Sequence, residues 1–322
     1  MVLIQGESLG IPLEFPITVW RKAIPLVPLL KGGKIEYHKT IENHLNPGQK
    51  GVVMREGPYM YEGAFGKLTL YTRNSEAGEQ TVLCKSPKIA SDLLLSEALV
   101  QFAVHTLFAN NGFGMHIPRV FDIFKCESGE IRFTMEHKAG KPLVEWLLQS
   151  PTIEMDFGIC LAQIAIILEI LHTKCGVDHR DMKMDNLLVV EESLHLRIGL
   201  KYYTFPFTIV LIDFGFCCVG ELDISKGAFP ALDACPKEGR DMFHLLASAW
   251  SIPALRGRLH ATWENWMLSH LVSNTGRSYK EIAERVKNNE WIYLLSGTEK
   301  FRAPMCTPQQ ILHDLHADEW LE

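Results

Sequence analysis

The densest group of reactive side chains in the chain is His179, Arg180, Asp181, Lys183 and Asn186, followed at once by the apolar run Leu187 to Val189. Thirty-two positions after Asp181, a second apolar run ending in Leu211 and Ile212 delivers another carboxylate, Asp213, ahead of Phe214 and Gly215. Asp-Phe-Gly alone is an ordinary turn sequence. Behind a strand-like run and downstream of the first group it becomes informative. Phosphoryl transfer calls for these residue types, because charge on a triphosphate must be neutralised and an acceptor hydroxyl aimed in line. Carboxylate and amide oxygens also suit a hard cation such as magnesium.

The pattern His-Arg-Asp-x-Lys-x-x-Asn with a later Asp-Phe-Gly resembles the protein-kinase superfamily. The resemblance implies roles. Asp181 would orient the substrate hydroxyl and accept its proton, and Lys183 would contact the transferred phosphoryl group. Asn186 and Asp213 would hold magnesium. A lysine two residues beyond the aspartate looks like serine/threonine kinases rather than tyrosine kinases.

Further upstream, Tyr61 to Leu68 resembles the later part of the family's glycine-rich loop. Gly63, Phe65 and Gly66 would cover the nucleotide phosphates, and Leu68 would pack on adenine. Tyr61 replaces the first glycine. Val82 to Lys85 resembles the family's Val-Ala-Ile-Lys, so Lys85 would meet the α- and β-phosphates, with Glu97 on the next helix as its ion-pair partner. Gln101, one turn on, stands where the family places an apolar residue. Phe133 to Gly140 resembles the hinge, with Met135 beside adenine and the backbone of Glu136, His137 and Lys138 reading its edge. Leu188 would close the pocket from below. Asp241, in Gly239-Arg240-Asp241, would brace the catalytic loop; the plainer reading is a helix N-cap.

These residues need elements to hold them. Lys67–Thr72, Gln80–Cys84, Arg119–Lys125 and Glu130–Met135 carry the β-branched and aromatic content of strands. Ser91 to Phe108 reads as a helix with Ser91 at its cap and Leu94, Ala98 and Phe102 on one face. Phe157, Leu161, Ile164, Leu168 and Leu171 recur at helical spacing, and Lys174 with Gly176 supplies a stop. Sheet-rich sequence thus precedes helix-rich sequence, which predicts an α+β protein rather than an alternating doubly wound sheet. The resemblance makes this a bilobal kinase-like fold. It comprises an N-terminal extension over residues 1–50, a β-rich N-lobe and hinge over 51–138, and a helical C-lobe over 139–322.

Composition narrows the classes. Of 322 residues, 47% are hydrophobic and 22% charged, too apolar for disorder. A net charge of −6 argues against nucleic-acid binding by bulk charge. The most apolar window, Ile159 to Leu171, is interrupted by Gln163 and Glu169 and is too short for a bilayer. No secretory signal is expected at the N-terminus. Eight cysteines without a Cys-x-x-Cys pair suit neither a zinc ribbon nor a disulfide framework. A reduced, intracellular protein without membrane insertion is therefore expected, and Cys84, beside Lys85, invites a thiol reagent.

Two stretches depart from the family. Glu191 to Pro206 is an insertion, rich in aromatics, where a tight hairpin needs about 2–5 residues. The segment from Asp213 to Asp241 is short and lacks Ala-Pro-Glu. Its only hydroxyl side chain is Ser225, and Arg180 would face phosphorylated Ser225 or a standing acid among Glu221, Asp223 and Asp233. Activity is expected not to need phosphorylation there. The sequence reads as an ATP- and Mg2+-dependent serine/threonine protein kinase acting on a protein substrate. The alternatives are a kinase-fold small-molecule phosphotransferase and a pseudokinase scaffold.

Overall fold

The structure, a computed structural model, describes residues 27–36, 51–63, 66–88, 93–198, 201–220, 222–223, 237–272, 292, 296 and 301–315. Its contacts divide the chain between Lys138 and Ala139 into two units. The protein is a mixed α+β structure with its strands concentrated in the first unit.

The first unit is built on a closed barrel. Its strands are β1 (Leu29–Lys31), β2 (Lys34–Glu36), β3 (Val53–Glu62), β4 (Gly66–Ser75), β5 (Gly78–Pro87), β6 (Val120–Cys126) and β7 (Ile131–Glu136), in the order β1-β2-β3-β4-β5-β7-β6. Parallel pairing of Leu29 and Leu30 with Lys125 and Cys126 closes it, so two short strands from within residues 1–50 belong to the barrel. Period-two alternation decides what faces inward. Along β5, Val82 and Cys84 are buried in a core with Ile35, Val52, Met54, Tyr71 and Phe124, which sends Leu83 and Lys85 to the opposite face. Glu76 and Ala77 alone link Ser75 to Gly78, and Gly78, the residue that follows the turn, takes φ +109°, a positive angle that favours glycine. Buried Arg73 meets Asp122 through two bonds of 2.7 and 3.1 Å, and Thr134 donates to the same carboxylate at 2.8 Å.

Helix α1 spans Leu93–Asn110, close to the extent that its apolar spacing predicts; Ser91 lies outside the described residues. Leu94, Leu95, Ala98, Leu99, Val100 and Val104 are all buried. The helix is therefore covered on more than the single face that the spacing suggests.

In the second unit, β8 (Lys141–Pro142) leads to α2 (Leu143–Gln149) and α3 (Ile153–Cys175). Phe157, Leu161, Ile164, Leu168 and Leu171 are buried along α3, and Gly176 ends it at φ +61°. Short strands follow: β9 (Val177–Asp178), β10 (Leu187–Val190), β11 (Leu194–Ile198), β12 (Lys201–Phe205), β13 (Thr208–Leu211), β14 (Cys218–Val219) and β15 (Leu222–Asp223). They form three small sheets, β13-β10-β8, β11-β12 and β15-β14-β9. The insertion between β10 and β13 is thus a separate antiparallel ribbon. Leu194, Leu196, Tyr203 and Phe205 are buried, while Tyr202 is 71% exposed. Helices α4 (Arg240–Trp250), α5 (Pro253–Arg256), α6 (Ala261–His270) and α7 (Pro308–Asp314) complete the described unit.

Candidate active site

Within the first unit, the β5 alternation brings Lys85 to α1. Its Nζ lies 2.6 Å from Glu97 Oε1, with the two side chains 12% and 6% exposed. Lys85 pairs across the sheet with Leu68, two residues past Gly66. A Cβ on Gly66 would stand 2.9 Å from the Ser86 carbonyl oxygen and 3.4 Å from Lys85 Cε, so the lysine keeps its path only beside a residue without a side chain. The N–H of Gly63 donates to the Gly66 carbonyl at 2.9 Å across the turn. Phe65, at that turn, lies outside the described residues. The Tyr61 ring approaches within 3.2 Å of where a Gly63 Cβ would be, yet is itself 62% exposed.

Met135 sits on β7 opposite Leu83, with its Sδ 3.5 Å from Gln101 Nε2. Gln101 is buried and its Nε2 donates to the Pro118 carbonyl at 2.9 Å, so a polar residue at an apolar-looking position is satisfied by the turn after α1. The Glu136 N–H donates to Arg119 O at 2.8 Å. Its side chain pairs with Lys138 at 2.7 Å, and His137 between them is half-buried.

In the second unit, α4 organises the loop that carries Asp181. The Asp241 carboxylate accepts the His179 N–H at 2.7 Å, the Arg180 N–H at 2.8 Å and His172 Nε2 at 2.9 Å. Helix α4 is capped at Gly239 without a side-chain bond, so Asp241 is a brace and not an N-cap. Burial pushes the Asp241 carboxyl up. The His172 hydrogen bond and the nearby charges of His172, His179 and Arg240 outweigh it and hold the group below the usual carboxylate range. Reciprocally, burial lowers the His172 pKa, but the Asp241 bond and charge raise it above its ordinary value. One residue after His179, Arg180 takes φ +66° with its side chain wholly buried. Such a backbone persists only where neighbours over-determine it. Ser248, two turns along α4, adds a bond from the Met184 N–H at 3.2 Å.

Asp181, Lys183 and Asn186 converge on this loop. Lys183 Nζ lies 2.9 Å from Asp181 Oδ2, and Asn186 Nδ2 donates to the Asp181 carbonyl and Oδ2 at 2.8 and 3.0 Å. Both Asn186 bonds leave through Nδ2, so its Oδ1 is the atom left for a hard cation. The loop is also stitched to the Asp213 strand. The Ile212 N–H donates to Asn186 O at 3.0 Å, and His179 Nε2 meets Ile212 O at 3.1 Å. Phe214 is buried with its ring edge-on to His179 at 5.3 Å. Asp213, between them, takes φ +66°. The donor set of an amide oxygen and a neighbouring carboxylate fits Mg2+. A Cβ on Gly140 would stand 3.1 Å from Leu188 Cβ and 3.1 Å from the Val189 carbonyl oxygen, so glycine there permits the close approach of β8 to β10.

Several expectations change. Leu188 and Met135 are both half-buried, neither of them enclosed as a core residue would be. Cys84 faces the barrel core, 1% exposed, and burial pushes its thiol up to about 12, so it is a poor target for a thiol reagent. Six of the described cysteines are free, whereas Cys218 is disulfide-bonded, so the set is not uniformly reduced. Ser225, Glu221 and Asp233 lie outside the described residues, as does the Asp223 side chain. Sequence reading missed His172, which presents itself as one more basic residue in a helix's last turn. It also missed Asp178, which accepts from the Lys237 N–H at 3.0 Å and from Arg240 at 2.9 Å. Neither residue belongs to a periodic pattern or a short motif. Among the described residues, no helix is long and apolar enough to cross a membrane.

No family model matches the chain. Parts of it are similar to curated serine/threonine kinases. The probable serine/threonine protein kinase IREH1 of Arabidopsis thaliana is 24% identical over 216 residues, 66% of this chain and 15% of the relative. The serine/threonine-protein kinase WARTS homolog of Caenorhabditis elegans is 28% identical over 156 residues, 48% of this chain. The serine/threonine-protein kinase STE20 of Saccharomyces cerevisiae is 28% identical over 167 residues, 51% of this chain. In each case the match spans 15% of the relative's length. The chain is thus distantly similar, over about half to two thirds of its length, to proteins of the kinase superfamily.

Proposed function

We propose that the protein is an ATP-dependent serine/threonine protein kinase that transfers the γ-phosphoryl group to a protein hydroxyl. One observation carries the reading: Asp181, Lys183 and Asn186 are hydrogen-bonded to one another on a loop whose backbone is gripped by Asp241. Asp181 aims the acceptor hydroxyl and takes its proton as the new P–O bond forms and the γ-phosphorus to bridging-oxygen bond breaks to release ADP, while Lys183 compensates charge on the transferred group. Lys85, held by Glu97, serves the α- and β-phosphates, with Gly63, Phe65 and Gly66 covering them. Leu68, Met135, Leu188 and the Glu136–Lys138 backbone receive adenine. Asn186 Oδ1 and the Asp213 carboxylate would hold Mg2+, which supplies charge neutralisation on the triphosphate.

The test uses purified full-length protein, radiolabelled ATP and Mg2+, with generic basic proteins and small alcohols as acceptors. Label on protein serine or threonine that disappears in Asp181→Ala supports the reading. Transfer only to small alcohols would replace it with small-molecule phosphotransfer. ATP binding without transfer to any acceptor would replace it with a scaffold.

A further inference from the structure

A second set of positive groups lies in the first unit, away from Lys85. The guanidinium of Arg119, the residue before β6, rests over the Phe121 ring with Cζ 5.3 Å from its centroid. Arg73 approaches the same ring at 5.5 Å. Two guanidinium groups therefore share one aromatic side chain, but their charges are handled differently. Arg73 is matched by Asp122 in a buried two-point pair. Among the described residues no carboxylate pairs with the Arg119 guanidinium, which is exposed just ahead of β6. Glu136 takes the main-chain N–H of Arg119 at 3.3 Å and gives its charge to Lys138 at 2.7 Å.

These groups line a cavity of about 480 Å³ with His105, Phe121 and His137. That volume lies in the range of small-ligand sites. None of Gly63, Gly66, Leu68, Lys85 or Met135 lines it; it shares with the surface proposed for nucleotide only Glu136, His137 and Lys138, whose backbone is the part proposed to read adenine. His105 Nδ1 is 2.8 Å from the Ile117 carbonyl and so carries its proton there. Burial holds the ring's pKa below its ordinary value, so near neutral pH it adds no charge. The charges lining the cavity are then Arg119 and Lys138 against Glu136, and the Glu136–Lys138 pair leaves Arg119 as the surplus.

We infer that this cavity binds a small anion bearing carboxylate or phosphate groups, held by the Arg119 guanidinium with its carbon-rich part against Phe121. Stacking on Phe121 orients the planar fork of Arg119 before any ligand arrives, which lowers the ordering cost of a two-point contact with an oxyanion. The site does not depend on the proposed phosphotransfer.

Isothermal titration of the full-length protein with citrate and, separately, inorganic pyrophosphate at low ionic strength tests the inference. The stronger of the two distinguishes a carboxylate from a phosphate site. Saturable binding with Kd in the range of roughly 0.1–1 mM is expected for one of them. It should weaken at least ~10-fold in Arg119→Gln, because a charged hydrogen-bond partner is lost. Lys85→Met should leave it unchanged. Arg119 is exposed, so the variant should fold, and circular dichroism confirms that it does. No saturable binding of either probe at 10-fold higher concentrations (~10 mM) overturns the inference, as does binding that is lost in Lys85→Met and retained in Arg119→Gln.

Discussion

Replacing Asp241 by asparagine should unfasten the loop that carries Asp181. The carboxylate accepts three bonds, two of them from the consecutive N–H groups of His179 and Arg180. An amide of the same shape has one accepting oxygen, so its NH2 must face at least one donor. One buried N–H then loses its partner, and the rest lose their charge assistance, each worth about 1.5–3 kcal/mol. The His172 ring also loses its counter-charge. Losing one side of a buried charged network costs about 3–5 kcal/mol, a large part of the roughly 5–15 kcal/mol that holds an average protein folded. At about 2–4 °C per kcal/mol for a unit of this size, Tm should fall by roughly 6–20 °C. Urea unfolding followed by circular dichroism reads the free energy directly.

The pH dependence supplies a second, independent arm for this variant. The folded pKa of Asp241 is depressed, so its stabilisation is present above the ordinary aspartate value and is lost as pH falls through the folded value. The folded pKa of His172 is raised, so its stabilisation is complete below the ordinary histidine value and is lost as pH rises through the folded one. Wild-type stability should therefore decline above about pH 6.5 by a component that Asp241→Asn lacks. A loss below ~1 kcal/mol at pH 7, with an unchanged alkaline slope, would show that the carboxylate does not brace the loop.

Four other outcomes follow from the geometry. Gly239→Ala should destabilise by about 2–5 kcal/mol, since the residue sits at φ +71° and its new Cβ would fall 1.9 Å from the Ala303 carbonyl oxygen. Gly176→Ala, at φ +61° in open space, should cost only ~1 kcal/mol, and equal losses in urea melts would refute the steric argument. Glu97→Gln leaves Lys85 charged and 12% exposed, so a loss of roughly 2–4 kcal/mol is expected, and less than ~0.5 kcal/mol would mean that the pair is not formed. Cys84 should resist iodoacetamide at neutral pH until the barrel unfolds, and its prompt labelling in the native protein by mass spectrometry would contradict its buried placement.

Local signals in the sequence carry much of this structure. Strand texture at Lys67–Thr72 and Gln80–Cys84 anticipates β4 and β5, because alternation is a property of neighbouring residues. The stop at Gly176 is legible for a similar reason: a left-handed residue after a helix favours glycine. Partnerships set by tertiary approach are not legible. His172 and Asp241 are 69 positions apart, and nothing in either neighbourhood announces the other. Gln101 reads as a misfit in an apolar row until Pro118 supplies its acceptor. Cys84 shows the opposite failure, because adjacency to Lys85 suggests a shared environment when strand alternation places the two on opposite faces.

Two non-glycine residues, Arg180 and Asp213, adopt φ +66°, and they flank the convergence of Asp181 and Asn186 on one side and the Phe214 turn on the other. A side chain in that region of backbone space costs about 1–2 kcal/mol, and glycine would remove the cost at either place. Arginine and aspartate stand there instead, so their side chains must matter more than the strain. What sustains the strain differs between them. The Arg180 backbone is held from α4, by a carboxylate that also holds its neighbour. The Asp213 strand is held from the loop itself, through the Ile212 bonds to Asn186 and His179. The two restraints run in series: α4 fixes the His179–Arg180 backbone, and His179 and Asn186 in turn fix the entry to Asp213. A disturbance at Asp241 should then propagate to the metal-ligand candidate, whereas one at Asp213 need not travel back. On this argument the unused Oδ1 of Asn186 and the Asp213 carboxylate owe their common placement to a helix neither belongs to. The β11–β12 ribbon can therefore lie between the two sequence motifs without separating them.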